Sequence, residues 1–263
     1  MALTLSAGTP FASLHGTMHR IVRALLLVAA CLLPIIPAAL TRAVSAPDLA
    51  EVSRLVVAQT NQFRGGAGLA PTLPNPQLNA AAREFAGFMA RTDQYGHEAD
   101  GREPAQRAQA QGYDYCMVAE NIAYEFNSEG FDTQELARSL VEGWKNSPGH
   151  RRNMLDNSAT ETGVAIARSP QTGRFYAVQM FGRPKALRIR FRVANRSAQA
   201  VSYEMGGRSY PLPPAMTRTH ELCRAEALTM RLPGESKATT FQPNHGERYL
   251  VEPVGSRLRV TRG

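Results

Sequence analysis

Cysteine, tryptophan and sequence-local catalytic motifs are all scarce in these 263 residues, and each scarcity excludes something. Three cysteines with no CxxC pair leave no disulfide-rich scaffold, zinc ribbon or dithiol redox motif. There is no HExxH, no GxSxG and no glycine-rich loop ending in Lys-Ser or Lys-Thr. Helical zinc proteases, nucleophile-elbow hydrolases and P-loop nucleotide enzymes are thereby excluded. Gly66-Ala67-Gly68 opens like a dinucleotide loop, but Pro71 stands where the third glycine belongs, and a helical pattern rather than a strand precedes it, so no nucleotide site is expected. The 21 glycines and 17 prolines follow no three-residue period, which excludes a collagen-like repeat. What is present is a 43% hydrophobic complement, enough for one large or two modest folded domains.

Acidic residues are missing from residues 1–46, where the only charges are Arg20, Arg23 and Arg42. Two of these precede the apolar run Ala24 to Leu40, as in a secretory signal, and Met18 is a candidate start that would give a leader of ordinary length. Ala43-Val44-Ser45 offers small residues for cleavage before Ala46, so residues 1–45 are expected to leave on export. Pro34 and Pro37 argue against retention as a membrane anchor. Val28-Ala29-Ala30-Cys31 resembles a lipoprotein signal, but the chain stays apolar after Cys31. A secreted or periplasmic location is expected.

Charge also divides the remainder. Residues 46–184 hold 13 Lys and Arg against 16 Asp and Glu, whereas residues 185–263 hold 14 against 6. The hydrophobic period changes at the same place, which predicts a domain at 46–184 and a second at 185–263. In the first, helical spacing is expected from Asp48 to Arg64, Asn75 to Arg91 and Thr133 to Lys145, with a short helix from Glu103. Strands are expected over Thr162 to Arg168 and Arg174 to Phe181, giving helices around a small antiparallel sheet. From Leu187 the period is two. Leu187, Ile189, Phe191 and Val193 alternate with Arg188, Arg190 and Arg192, a half-buried strand with a row of guanidinium groups outside. Further short runs around Val201 to Met205, Thr217 to Cys223, Ala227 to Leu232, Arg248 to Val251 and Arg257 to Val260 predict a small all-β sandwich or barrel. The fold class is α+β.

Four histidines follow the leader: His97, His150, His220 and His245. His97 stands in Tyr95-Gly96-His97, and Glu120 in Ala119-Glu120-Asn121-Ile122-Ala123. His150 stands in Trp144-Lys145-Asn146-Ser147-Pro148-Gly149-His150-Arg151-Arg152-Asn153-Met154-Leu155, and Thr162-Gly163-Val164-Ala165 comes after it. These four blocks, in this order and spacing, resemble the bacterial branch of the CAP family, named for cysteine-rich secretory proteins, antigen 5 and pathogenesis-related proteins. The resemblance spans about Leu49 to Gly182 and leaves the C-terminal β-module unexplained. It implies an α-β-α sandwich with an open cleft, in which His97, Glu120 and His150 occupy the positions of the first histidine, the first glutamate and the second histidine. The second glutamate of many eukaryotic members is replaced by Ser147, and Glu142 lies on another helical face. A mechanism that needs paired carboxylates has no second partner here.

Two readings of the cleft stand side by side. In one, His97 and His150 offer imidazole nitrogens to a divalent metal such as zinc, with Glu120 ligating or orienting a ring. In the other, both histidines hydrogen-bond Glu120 and tie loops together. Ser147 before Pro-Gly is read as turn chemistry rather than a nucleophile beside His150. Trp144 is in phase with Leu140 and Val141 and is expected in the core. The leading reading is a secreted, non-enzymatic binder of a metal or a small apolar or lipid ligand, with the basic module on an anionic envelope surface. A metal-assisted hydrolase is the alternative, and a structural envelope protein a second one. A monomer with no specific nucleic-acid partner is expected, because aromatics in the basic module are scattered. Cys116 and Cys223 remain after the leader. In an oxidising compartment they pair, closing a loop worth on the order of 4 kcal/mol, or each stays inert in its own domain.

Overall fold

The structure is a computed structural model, described for residues 45–263. The candidate start Met18, the apolar run Ala24 to Leu40, Cys31 and most of the cleavage motif lie outside the described residues. Among the described residues no helix is long and apolar enough to cross a membrane.

Helix α1, Leu49–Gly66, starts where Asp48 accepts the backbone N–H groups of Ala50 and Glu51, and it buries Val52, Val56, Thr60 and Arg64. Short strand β1, Leu73–Pro74, leads to α2, Pro76–Thr92, capped by Asn75 with proline in the first turn. Such caps satisfy N–H groups that no helical turn can reach. Then follow α3 (Pro104–Ala110), β2 (Tyr115–Glu125), α4 (Thr133–Asn146), α5 (Pro148–Met154), β3 (Glu161–Arg168) and β4 (Phe175–Pro184).

The sheet runs β1-β3-β4-β2, with β1 parallel to β3 and the remaining pairs antiparallel. Strand β4 is buried from Phe175 through Gly182, and its alternation serves two cores. Ala177 and Phe181 pack with Val52, Val56, Leu136, Leu140 and Trp144 of α1 and α4. Tyr176, Val178 and Met180 pack with Leu78, Phe85 and Met89 of α2. A strand covered on both faces reads as a continuous apolar run, and the result is an α-β-α sandwich.

Layer spacing is closest at Gly163. A Cβ there would lie 2.2 Å from the backbone carbon of Leu78, and neither β3 nor the first turn of α2 can yield locally. Gly163→Ala is expected to destabilise the domain by about 2–3 kcal/mol through overpacking, read as a lower urea midpoint at unchanged slope.

A 3-10 turn at Lys185–Leu187 carries the chain into β5 (Ile189–Asn195), β6 (Val201–Met205), β7 (Arg208–Leu212), β8 (Thr217–Leu222), β9 (Leu228–Met230), β10 (Thr239–Phe241), β11 (Arg248–Val254) and β12 (Arg257–Arg262). These make two four-stranded sheets, β10-β9-β6-β7 and β12-β11-β5-β8. Their inner faces share one core containing Phe191, Val193, Tyr203, Met205, Leu228, Met230, Tyr249 and Val251. Of the two closures left open by the sequence, the sandwich forms. Strands β7 and β10 are additional to those the sequence predicts. Pro211 obscures β7, and it is tolerated because β7 is an edge strand; β10 has three residues and shows no period.

Residues 45–263 belong to one compact unit. Cys116 and Cys223 are joined in a disulfide with their Cα atoms 5.1 Å apart. Arg224 pairs with Asp156 beside it, and the backbone N–H of Ala225 donates to Ser158 Oγ at 3.3 Å.

Candidate functional site

Strand β2 forms the exposed edge of the first sheet opposite β1, and its period of two decides what happens at that edge. Glu120 and Ile122 pair with Met180 and Val178, so their side chains point to the α2 and α3 layer. Asn121, between them, points to the α4 and α5 layer. Glu120 therefore reaches the loop that carries His97, and Asn121 reaches the helix that carries His150. Asn121 Nδ2 donates to the carbonyl of His150 at 3.2 Å, while Asn153 Nδ2 donates to Asn121 Oδ1 at 2.9 Å and to the Glu120 carbonyl at 3.1 Å. Two adjacent polar residues thus fasten the two histidine segments to one strand from opposite faces.

His97 approaches Glu120 directly, with Nδ1 at 2.8 Å from Oε1. The other partner of Glu120 is Arg107, a residue that sequence reading did not single out. Its Nη2 donates to both carboxylate oxygens of Glu120, at 3.0 and 2.9 Å, and to the carbonyl of His97 at 2.7 Å. Its Nη1 donates to Asp100 Oδ1 at 2.7 Å and to the carbonyl of Arg102 at 2.6 Å. The guanidinium also stacks over Phe85, 3.6 Å from the ring centroid. Arg107 and Glu120 are essentially buried, and Arg107 Nε is left without a partner. A buried carboxylate needs such pairing. The helical phase of α3 contained a hint, since Arg107 is a charged residue on the face of a short amphipathic helix that also buries Ala108.

The expectation that both histidines bond Glu120 is corrected in part. His97 does; His150 meets Asn121 through its backbone instead. Its imidazole pKa is lowered by burial and then by the charge of His97, so the ring is neutral near pH 7. Ser147 lies at the junction of α4 and α5 and caps by position without a side-chain hydrogen bond. Glu142 pairs with Lys145 on an exposed face, outside the cleft. Trp144 is 1% exposed and donates its Nε1–H to the Ile122 carbonyl at 3.1 Å, which also accepts from Tyr95. The tryptophan belongs to the core behind the strand, and Tyr95 packs with Tyr124 and Tyr176.

Among the described residues no group of three or more His, Cys, Asp or Glu side chains is arranged to hold a metal ion. With Glu120 buried and paired with Arg107, the exposed donors the cleft offers are two imidazoles. His97 fits a ligand role in one respect, because a ring that engages a carboxylate through Nδ1 presents Nε2 outward. An apolar hollow of about 480 Å³, lined in part by Leu49, Val57, Pro74, Val164 and Ile166, lies at the β3 side of the sheet, away from the histidines.

Residues 57–181 match the CAP family, described as the cysteine-rich secretory protein family. A curated relative, the uncharacterized protein YkwD of Bacillus subtilis (strain 168), is 30% identical over 141 residues, 53% of this chain and 51% of that protein. The chain thus spans about half the length of that relative. Among solved structures, an outer surface protein of Borrelia burgdorferi aligns at 18% identity with a TM-score of 0.47, over 54% of this chain and 98% of its own. An extracellular protein containing an SCP domain from Bacillus anthracis aligns at 22% identity with a TM-score of 0.44, over 51% and 41%.

Proposed function

Given that residues 57–181 are a CAP domain, we propose that the protein is exported and works as a binding protein, with a divalent ion held between His97 and His150 and the basic sandwich placed against an anionic envelope surface. Export is supported by the leader pattern and by the Cys116–Cys223 disulfide, which persists in oxidising compartments. Binding rather than hydrolysis is supported above all by the state of Glu120. Both of its oxygens accept from Arg107 and one also meets His97. A general base must come within reach of a water or substrate proton, whereas the Glu120 side chain is 1% exposed, and Ser147 stands where a second carboxylate would lie.

His97 Nε2 and the neutral imidazole of His150 are the groups that would hold the ion. Bound there, it would supply a Lewis-acidic position for an oxygen-bearing ligand. Two protein ligands make an open and weak site. Zinc at about a hundredfold excess over its dissociation constant is expected to stabilise the protein by about 3 kcal/mol. His97→Ala and His150→Ala are each expected to remove that shift in a thermal melt. If zinc, copper and manganese all leave the wild-type melt unmoved, the metal is not the ligand. Turnover of an ester or peptide library that disappears with Glu120→Gln would instead establish the hydrolase.

A further inference from the structure

The sheet β12-β11-β5-β8 turns one face to the sandwich core and the other to solvent. On the outer face, Arg190 and Arg192 of β5 lie beside Arg248 of β11, all three exposed. Strands β5 and β11 run parallel, and their register sets Arg192 directly opposite Arg248. Like charges facing each other across a sheet repel, so this arrangement is useful only to something that supplies the opposite charge.

The surroundings do not supply it. Arg188 and Arg190 share Glu221, at 2.6 and 3.6 Å, while no carboxylate lies within 4 Å of Arg192 or Arg248 among the described residues. Glu247, next in the chain to Arg248, is committed elsewhere. It accepts from Tyr249 Oη at 2.5 Å and from the Asn244 backbone and side chain at 3.0 and 2.9 Å, and it pairs with Arg262. Burial alone would raise its pKa, but these bonds outweigh burial and hold it at about 2. Its charge is therefore already balanced by Arg262. The turn that carries it is fixed to β5, since the Gly246 N–H donates to the Arg190 carbonyl at 2.7 Å and the Arg192 N–H to the Glu247 carbonyl at 3.0 Å. A hollow of about 180 Å³ remains, lined by Arg190, Arg192, His245, Gly246 and Arg248, with Phe191 and the already paired Glu247 also on its wall. That is room for a tetrahedral oxyanion.

We propose that Arg192 and Arg248, helped by Arg190, bind the phosphate of an anionic lipid headgroup, and that this sheet face is where the protein meets a membrane. The inference rests on the reading that the basic module faces an anionic envelope surface, and it names the residues and the chemistry. Guanidinium pairs suit phosphate because their forked N–H groups match two of its oxygens. A lipid surface is favoured over a free ion because the arginines are exposed, so that a single ion would keep its water and be held weakly. A surface that presents many phosphates engages them together. The rest of the face agrees with lipid rather than nucleic acid. By strand alternation Leu250, Glu252 and Val254 of β11 share it with the arginines; Glu252 stands opposite Arg259 of β12, and Val254 is 47% exposed. Phe191 and Tyr249, which stacked bases would need, are buried on the opposite side.

The test is co-sedimentation of the purified protein with vesicles of about one-third phosphatidylglycerol in phosphatidylcholine, at near-physiological salt. Arg192→Ala and Arg248→Ala are each expected to weaken partitioning about fivefold, and the pair more than tenfold, by the usual worth of one basic residue near such a surface. Arg83→Ala, at an exposed position of α2 far along the chain, should leave it unchanged. Both variants should melt no lower than wild type, because each relieves the repulsion across the strands. An equal loss from Arg83→Ala would reduce the effect to net charge and overturn the site. So would undiminished binding by the double variant, although the envelope reading would survive that result. Failure of the wild type to bind any anionic vesicle would overturn both. Saturation by inorganic phosphate at low millimolar concentration, or tighter binding of a single-stranded oligonucleotide than of vesicles, would reassign the site to those ligands.

Discussion

Replacing Arg107 with alanine is expected to cost about 4 kcal/mol and to release the loop that carries His97. The side chain is fully buried and meets the Glu120 carboxylate, the Asp100 carboxylate, two backbone carbonyls and the ring of Phe85. Removing one member of a buried pair leaves an uncompensated charge, which typically costs 3–5 kcal/mol. Two carboxylates lose their buried partner here, although Asp100 keeps Arg102 and Glu120 keeps the His97 ring. Arg107→Lys should recover little, because one ammonium cannot reproduce the two terminal nitrogens that reach Asp100 and Glu120 at once. Chemical denaturation gives the stability, and hydrogen exchange of residues 93–103 gives the loop. If Arg107→Ala unfolds within about 1 kcal/mol of wild type, the network does not hold the cleft together. The double variant Arg107→Leu with Glu120→Leu separates charge from packing. It should be far less damaging than Arg107→Ala alone, since a buried pair exchanged for apolar side chains often costs little.

The disulfide carries the second large effect. Cys116 sits at the irregularity in the β2–β4 register between Tyr115 and Met117, four residues before Glu120, and Cys223 follows β8. The bond closes a sequence separation of 107 residues, for which the chain-entropy argument gives on the order of 4 kcal/mol. Cys116→Ala with Cys223→Ala is expected to lower the melting temperature by roughly 10 °C. The loss should be larger than that of either domain's local contacts, because the bridge also aligns Arg224 with Asp156 and Ala225 with Ser158. An unchanged melting temperature would mean that those contacts and the short connection at Lys185–Leu187 already fix the two modules. A two-step melt in the variant would show that the bridge alone couples them.

What the sequence determined by itself was whatever depends on period and on neighbours in the chain. Helix α1 with its Asp48 cap, α2 with Asn75 and Pro76, the strand at β4 and the in-out alternation of β5 all follow from spacing and local chemistry. So does the pairing of the two remaining cysteines, given an oxidising compartment, as one of two outcomes. Strand β2 was not legible as a strand because Glu120-Asn121 interrupts its apolar run at the point where the site needs polar groups. Helix α5 was not legible because Ser147-Pro148-Gly149 reads as a turn, although serine as cap and proline in the first turn also start a helix.

Only the tertiary structure decided the partners of Glu120. Arg107 lies 13 residues away on another element, and nothing in its neighbourhood in the chain marks it as the group that would occupy both carboxylate oxygens. The same holds for Arg192 and Arg248, which are 56 residues apart and become a facing pair through the parallel register of β5 and β11. Sequence spacing governs which face a residue occupies. Which charge it meets there is set by strand order and layer packing, and at this cleft that is the difference between a carboxylate free to act as a base and one already bound.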